Sequence, residues 1–152
     1  MSTISSAIDL IKTAVTTALP NHTYLTNGYA ADENNNLYLN QGVGIAWRQA
    51  INTNREVCPK LYQSQSFEVV ITRNYFASDL NVDDKEAQAK QIFEDALLVI
   101  SALSIDVLDS LNQSVAICKY LGHNGIETVF GEKDNYLKAT LNFEFEYYET
   151  LT

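Results

Sequence analysis

The sequence is poor in cysteine and histidine, the residues that build metal centres and disulfide frameworks, and it is also poor in proline. Only two cysteines, two histidines and two prolines occur among 152 residues. Cys58 and Cys118 have no CxxC neighbour, which predicts two reduced thiols in a cytosol-like compartment. His22 and His123 lie far apart, with no Asp or Glu at ligand spacing. We therefore expect ordinary surface histidines, with no metal and no cofactor.

Basic residues are scarce as well. Ten Lys and Arg stand against 19 Asp and Glu, for a formal net charge of −9, and the basic residues form no cluster. This excludes a basic nucleic-acid reader, although an acidic surface would suit a channel through which DNA slides. No apolar run approaches the ~20 residues of a membrane span. The N-terminus lacks the basic region and long apolar block of a secretory signal.

Apolar residues, in contrast, are plentiful. They make up 46% of the chain, which argues against wholesale disorder. A chain of this length buries roughly two thirds of its unfolded surface around one core. We expect a single domain, 1–152, with no internal repeat or interdomain linker.

Alternating apolar residues predict long strands. The last strand is the clearest, because apolar residues occupy every odd position from Leu137 to Tyr147, the period of a strand with one buried face. The segments NLYLNQGVGIAWRQAIN and LYQSQSFEVVITRNYF predict two neighbouring antiparallel strands. A loop is predicted between them at 52–60. Gly42 and Gly44 indicate a bend or bulge in the first of these strands. Two short strands, SVAICKYLG and IETVFG, are predicted on either side of a turn at GHNG, and GEKDN predicts the next turn.

Helical periodicity predicts two amphipathic helices. The first runs from Thr3 or Ile4 to Leu19 and ends at Pro20. The second covers residues 83–103, and both its apolar stripe and its solvent face are well defined. We expect a two-layer α+β domain whose mainly antiparallel sheet carries both helices on one face. The stripe contains Ala89, Ile92, Phe93, Ala96, Leu97, Ile100 and Leu103, and the predicted solvent face contains Lys85, Gln88, Gln91, Glu94 and Asp95.

No catalytic constellation is recognisable. Cys118 lies within a predicted strand, as a buried structural thiol would, and Cys58 precedes Pro59 in a predicted loop without an evident activator. Glu144 and Glu146 share a strand face, as paired carboxylates might, but solvated charges are the simpler interpretation. The predicted protein has no catalytic residue and is not an enzyme.

The layout resembles that of the tail terminator, or tail-completion, proteins of tailed bacteriophages. The resemblance lies in ISSAIDLIKTAV, SFEVVITRNYF, KEAQAKQIFEDALLVISAL and ATLNFEFEYYE, and it covers nearly the whole chain as a pattern without an invariant motif. It implies a structural virion protein, made in the host cytoplasm, that forms a ring, usually a hexamer. Such a ring caps the head-proximal end of the tail tube, stops tube polymerisation and joins the tail to neck or connector proteins. DNA would pass through the bore without specific binding.

The resemblance also suggests where contacts form. The polar side of the last strand is the candidate subunit interface, and two loops are candidates for contact with tube or neck partners. The interface candidates are Lys138, Thr140, Asn142, Glu144, Glu146 and Tyr148. The loop candidates are Tyr29, Asp32, Glu33 and Asn35 in one loop and Arg55, Glu56 and Lys60 in the other.

Two alternatives fit the same pattern. One is another phage neck or head-completion adaptor, which would assemble with portal instead of tube proteins. The other is a small ligand-binding domain, or an enzyme, with an aromatic-lined pocket closed by the central helix; it would be a monomer or dimer whose melting temperature rises with ligand.

Overall fold

The computed structural model of this protein describes residues 4–25, 41–57, 60–75, 82–103, 117–130 and 135–150. Two helices alternate with groups of strands along this part of the chain. The elements are α1 (Ile4–Ala18), β1 (Thr23–Leu25), β2 (Gly42–Val57), β3 (Lys60–Tyr75), α2 (Val82–Ala102), β4 (Ile117–Phe130) and β5 (Asn135–Thr150).

The five described strands form one sheet in the order β1-β2-β3-β5-β4. β1 pairs with β2 in parallel, and the other three pairings are antiparallel. A mostly antiparallel sheet with two helices confirms the predicted α+β class. The packing of both helices on one face stays a prediction.

Helix α1 forms where the sequence predicted it. Ala7, Ile11 and Val15, one helical turn apart, are fully buried, because residues at i and i+4 lie on the same side of a helix. The amide of Leu19 still donates to the carbonyl of Val15 over 3.1 Å. Pro20 follows, and its ring has no N–H with which to continue the ladder.

The core joins the helices to the sheet. Its buried cluster contains Ile11 and Val15 of α1, Ile92 and Val99 of α2, and the odd-numbered residues of β5 from Leu137 to Phe145. Burial of alternate β5 residues confirms the period-two prediction for that strand. Large apolar side chains removed from water in this way each contribute roughly 1.5–3 kcal/mol.

A row of aromatic residues crosses the sheet at one level. Trp47, Phe67, Phe143 and Tyr120 are directly paired across β2, β3, β5 and β4. Their ring centroids are 5.1, 5.3 and 5.4 Å apart in that order, the spacing at which aromatic pairs attract beyond simple burial. The row fixes the register of four strands, and it ends at Tyr120 on the edge strand.

The predicted loop at 52–60 is largely wrong. β2 continues to Val57 and β3 begins at Lys60, so the two strands form a hairpin whose tip is much shorter than expected. The polar segment TNREV lacks the apolar alternation that signals a strand. Its backbone is nonetheless ordered by pairing with β3, as in Asn54 opposite Tyr62, because a backbone ladder does not depend on side-chain polarity.

The glycines Gly42 and Gly44 were predicted to mark a bend or a bulge, and the bulge is wrong. The pairing of β2 with β3 is regular from Gly42 to Trp47, and the register shifts come later, between Trp47 and Asn52 and between Asn54 and Val57. Both glycines are buried, in a part of the sheet that is covered on both faces.

The segment GHNG is a bulge and not a turn between two strands. β4 runs without a break from Ile117 to Phe130, and its register with β5 shifts between Tyr120 and Gly122 and again between His123 and Ile126. Gly122 and Gly125 have φ of 117° and 83°, values that L side chains rarely adopt. A strand can absorb extra residues at such positions and stay paired.

Candidate functional site

The predicted interface strand does not lie at the edge of the sheet. β5 pairs with β3 over its whole length and with β4 over most of it. Its backbone groups are therefore committed on both sides, and they cannot add a strand from another subunit. Sequence periodicity reveals which face of a strand is buried, but not which strands are its neighbours.

The polar side chains of β5 are also less exposed than predicted. Thr140 is buried, while Lys138, Asn142, Glu144 and Glu146 are half-buried; Tyr148 belongs to the same strand. The neighbouring residues of β3 are buried as well. Val70, which pairs with Thr140, is 1% exposed, and Thr72, which pairs with Lys138, is 0% exposed. This part of the second sheet face is not an open polar surface.

The structure describes only one of the two candidate partner-contact segments. Tyr29, Asp32, Glu33 and Asn35 lie outside the described residues. Arg55 and Glu56 belong to β2, and Lys60 is the first residue of β3. Their assignment to a loop is therefore wrong.

The long edge of the described sheet is β4. β1, at the other side, has three residues and pairs only with Gly42–Gly44, whereas β4 has 14 residues and pairs with β5 alone among the described strands. A long edge strand presents backbone groups and side chains that invite a partner. The two bulges of β4 interrupt this edge near its middle.

An apolar groove, here named the α2–β4 groove, runs between α2 and this edge strand. It encloses about 380 Å³, and its described lining contains two titratable residues, Tyr120 and His123, and no Asp, Glu, Lys or Arg. The core side of α2 contacts β3 and β5, while Tyr120 of β4 remains 39% exposed. The lining residues of the groove are Ile92, Phe93, Ala96, Leu97, Ile100, Tyr120, His123, Gly125, Ile126, Ala139 and Leu141.

The rim of the groove is unusually apolar for a surface. Phe93, Leu97 and Tyr120, which all line the groove, are 51%, 66% and 39% exposed. Single exposed apolar residues need no explanation, but a contiguous patch marks a site of interaction. Phe93 and Leu97 come from the stripe that was predicted to be core.

The bulge positions the polar end of the groove. Nδ1 of His123 accepts a hydrogen bond from the amide of Gly125 over 2.9 Å, and the ring lies 6.5 Å from that of Phe93, edge to face. Because Nδ1 is an acceptor, the proton of the neutral ring is on Nε2. The backbone conformation at Gly125 thus orients the histidine against the helix.

On another side of α2 lies a buried polar cluster. Nε of Arg73 donates to Oδ2 of Asp95 over 2.7 Å and Nη2 donates to Oδ1 over 3.2 Å. Nε2 of His22 is 3.2 Å from the same Oδ2. The side chains of His22 and Asp95 are only 4% and 8% exposed, so the predictions of a surface histidine and a solvent-facing Asp95 are both wrong.

The charge of Asp95 is held in place by its partners. Burial acts to raise the pKa of Asp95, but the hydrogen bonds from His22 and Arg73, together with their charge, lower the pKa below its ordinary value. A bidentate guanidinium is the partner best suited to a buried carboxylate. A cavity of about 120 Å³ adjoins the cluster, lined in part by Pro20, Gln41 and Leu98.

Cys118 is the buried thiol that the sequence predicted. It is 6% exposed and belongs to the core cluster, and burial raises the pKa of its thiol to about 12. A thiol so hard to ionise is a structural side chain, not a nucleophile. Cys58 lies outside the described residues.

The sequence carries no signal that reveals the groove. The stripe of α2 contains two adjacent apolar pairs, Ile92 with Phe93 and Ala96 with Leu97. Such pairs are part of the usual spacing of a helix that packs on one core. Which of the stripe residues are covered depends on where the sheet ends, and the helix sequence does not contain that information.

No family model matches the chain, and no curated protein matches it either. Among the described residues no group of three or more His, Cys, Asp or Glu side chains is arranged to hold a metal ion. Neither α1 nor α2, the two described helices, is long and apolar enough to cross a membrane.

Proposed function

We propose that this chain is a structural virion protein that resembles phage tail terminators. It forms a ring at the head-proximal end of the tail tube, stops tube polymerisation and joins the tail to neck proteins. Its place is the tail and neck region of the virion. The proposal rests on the resemblance of the sequence layout and on the α2–β4 groove.

The groove is the observation that supports an assembly role best. An acidic domain that worked alone would be expected to cover the apolar stripe of its long helix. Here Leu97 is 66% exposed next to a 14-residue edge strand. Surfaces of this kind bury their apolar area when a partner docks.

Charge supports the same proposal. A net charge of −9 repels phosphate, so DNA can move past such a subunit without being retained. Specific DNA binding would require a basic surface, which the composition does not provide.

The test is capping of tail tubes. Purified protein is mixed with polymerising tail-tube protein of the same phage, and tube length and tube ends are examined by negative-stain electron microscopy. We expect tubes that are shorter on average and carry a ring at one end. The control is tube protein with an unrelated acidic protein of similar size.

Two other outcomes have a definite meaning. Binding to the portal or connector protein with no effect on tubes would replace the proposal by a head-completion adaptor. Failure to bind tube or connector, with a small molecule raising the melting temperature, would favour the ligand-binding domain.

A further inference from the structure

We propose that Asn124, in the second bulge of β4, is a site of covalent self-modification. The backbone nitrogen of Gly125 attacks the side-chain amide of Asn124, and ammonia leaves. The cyclic imide that results is opened by water to aspartate or isoaspartate. The reaction concerns the chemistry of the bulge, so it does not depend on the proposed function.

The sequence provides the reacting pair. Asn124 is followed by Gly125, and a cyclic imide closes when the backbone nitrogen of the next residue reaches Cγ of an asparagine. A side chain on that next residue would hinder the attack, and glycine has none. The space beside Gly125 is open as well, because a Cβ placed there would meet no atom of the described residues within 4 Å.

The bulge frees this pair from the strand ladder. The register of β4 with β5 shifts between His123 and Ile126, so Asn124 and Gly125 have no paired position on β5. Asn124 is exposed, and Gly125 has a φ of 83°. Because no pairing with a described strand holds the peptide group between them, it can turn about ψ of Asn124 until the nitrogen faces Cγ.

A base contacts the proton that must be removed. The amide of Gly125 donates to Nδ1 of His123 over 2.9 Å, and the neutral ring has no proton on the nitrogen that accepts. A backbone amide is a poor nucleophile until it loses its proton, so a positioned base speeds the attack. The ring of His123 is held edge to face against Phe93, with centroids 6.5 Å apart.

A hydrogen-bond donor contacts the oxygen that becomes charged. Nδ2 of Asn142, on the neighbouring strand β5, donates to Oδ1 of Asn124 over 3.0 Å. Attack on Cγ moves negative charge onto this oxygen, and a donor that is already in place stabilises the charge. The bulge and its neighbouring strand thus supply the electrophile, the nucleophile, the base and the oxyanion donor.

The steps balance with water as the only added reactant. His123 takes the proton of the Gly125 amide, and the nitrogen forms a bond to Cγ of Asn124. The tetrahedral intermediate then collapses: the bond from Cγ to Nδ2 breaks, and ammonia leaves with the proton that His123 returns. Water adds to either carbonyl of the imide and opens the ring. One molecule of water is consumed and one molecule of ammonia is released.

The product changes the polar end of the α2–β4 groove. Asn124 lies between His123 and Gly125, which both line the groove. Conversion adds a carboxylate beside a lining that contains no Asp or Glu among the described residues. Isoaspartate also routes the backbone of β4 through the side chain and lengthens it by one carbon atom. The proportion of the modified form therefore increases with the age of the protein.

Ageing of the purified protein at neutral pH tests the reaction. Asn124 is the only asparagine or glutamine in the tryptic peptide 120–133, so a change from amide to carboxyl in the mass of this peptide is assigned to it. The same protein unfolded in guanidinium is the reference. We expect conversion at least about fivefold faster in the folded protein, because only there is His123 held at the amide.

The products and the reference can each contradict the proposal. The imide route gives both aspartate and isoaspartate, which chromatography of the peptide separates. Aspartate alone would mean direct hydrolysis by water and would overturn the route through Gly125. Conversion that is equally fast or slower in the folded protein would show that the bulge does not promote the reaction, and would overturn the proposal.

Two substitutions of His123 test the base. His123→Phe keeps an aromatic ring beside Phe93 but has no nitrogen, and His123→Gln keeps a hydrogen-bond acceptor that is not a base. We expect both to slow conversion in the folded protein at least about tenfold and to change it less than about twofold in the unfolded chain. Circular dichroism checks that both variants fold. An unchanged rate in the two folded variants would overturn the role of the histidine.

Asn142→Ala tests the oxyanion donor. Its effect should be smaller, a decrease of about two- to fivefold in the folded protein, because the hydrogen bond it removes is exposed to water. Asn124→Gln is the control for the assay: its longer side chain does not close this ring readily, so peptide 120–133 should stay unconverted. If every variant of His123 and Asn142 matched the unmodified protein, the Asn-Gly sequence alone would cause the reaction, and the proposed role of the bulge would fail.

Discussion

The two flanks of α2 reverse the usual distribution of side chains. On one flank the charged Asp95 is 5% exposed, whereas on the other the apolar Leu97 is 66% exposed. Asp95 is buried because Arg73 from β3 and His22 from the segment after α1 both reach it. Leu97 is exposed because it lies over the margin of the sheet. Burial on a helix thus depends on what its neighbours supply, as much as on the polarity of the side chain.

Removing the carboxylate should have the largest effect on stability. Asp95→Ala leaves the guanidinium of Arg73 and the ring of His22 buried without their acceptor. Loss of one partner of a buried pair costs about 3–5 kcal/mol. Urea unfolding measures this cost. A loss below about 1 kcal/mol would mean that water or another side chain reaches Arg73, and that the cluster is not buried in solution.

Alanine substitutions on two sides of α2 sharpen the comparison further. Ile92→Ala removes a fully buried side chain of the core cluster, which should cost about 2–5 kcal/mol. Leu97→Ala should change the unfolding free energy of the monomer by less than about 0.5 kcal/mol, because its side chain is already largely in water. Chemical denaturation, at a protein concentration too low for self-association, measures the unfolding free energy of both variants. Equal losses would contradict the exposed position of Leu97.

Acid should weaken the Asp95 flank selectively. The pKa of Asp95 is lower in the folded protein than its ordinary value of 3.8, so its contribution is complete above that pH. The contribution is lost as pH falls through the folded pKa, because the unfolded state binds the proton more readily. The difference in unfolding free energy between the unmodified protein and Asp95→Asn should narrow below pH 3.8. If this difference in unfolding free energy did not change with pH in this range, the charge of Asp95 would not contribute to stability.

The exposed ion pair of α2 should matter least. Nζ of Lys90 lies 3.5 Å from Oε1 of Glu86, one helical turn away, and both side chains are about 70% exposed. Such pairs contribute about 0.3–0.5 kcal/mol, so Glu86→Ala should be nearly neutral in urea unfolding. A loss comparable to that of Asp95→Ala would show that the energetic contrast between buried and exposed pairs does not hold here.

Local sequence signals predicted the elements well where periodicity was strong. α1 and α2 lie within one residue of the predicted bounds, and β5 extends the predicted alternation by two residues at its start and three at its end. Regular periodicity reports which side of an element is buried. Polar and glycine-containing segments gave wrong predictions of a loop and a turn. TNREV continues β2 and GHNG continues β4, because pairing with a neighbouring strand stabilises a backbone whose own side chains give no strand signal.

The candidate site was predictable only in part. Phe93 and Leu97 were recognised as apolar stripe residues, but their exposure depends on where the sheet ends. Arg73, His22 and Asp95 are far apart in the sequence, and no spacing rule connects them. The choice of β5 as the candidate interface strand did not foresee its interior position for the same reason, because strand order is a property of the assembled sheet.

The sequence by itself determined the α+β class, both helices, the period-two burial of β5 and the acidic, cysteine-poor character of the chain. These features follow from the order and polarity of neighbouring residues. Tertiary structure alone decided that β5 is interior and β4 is an edge, that Asp95 is enclosed by Arg73 and His22, and that Leu97 faces an open groove. Each of these depends on contacts between distant segments, whose free energy no local pattern contains.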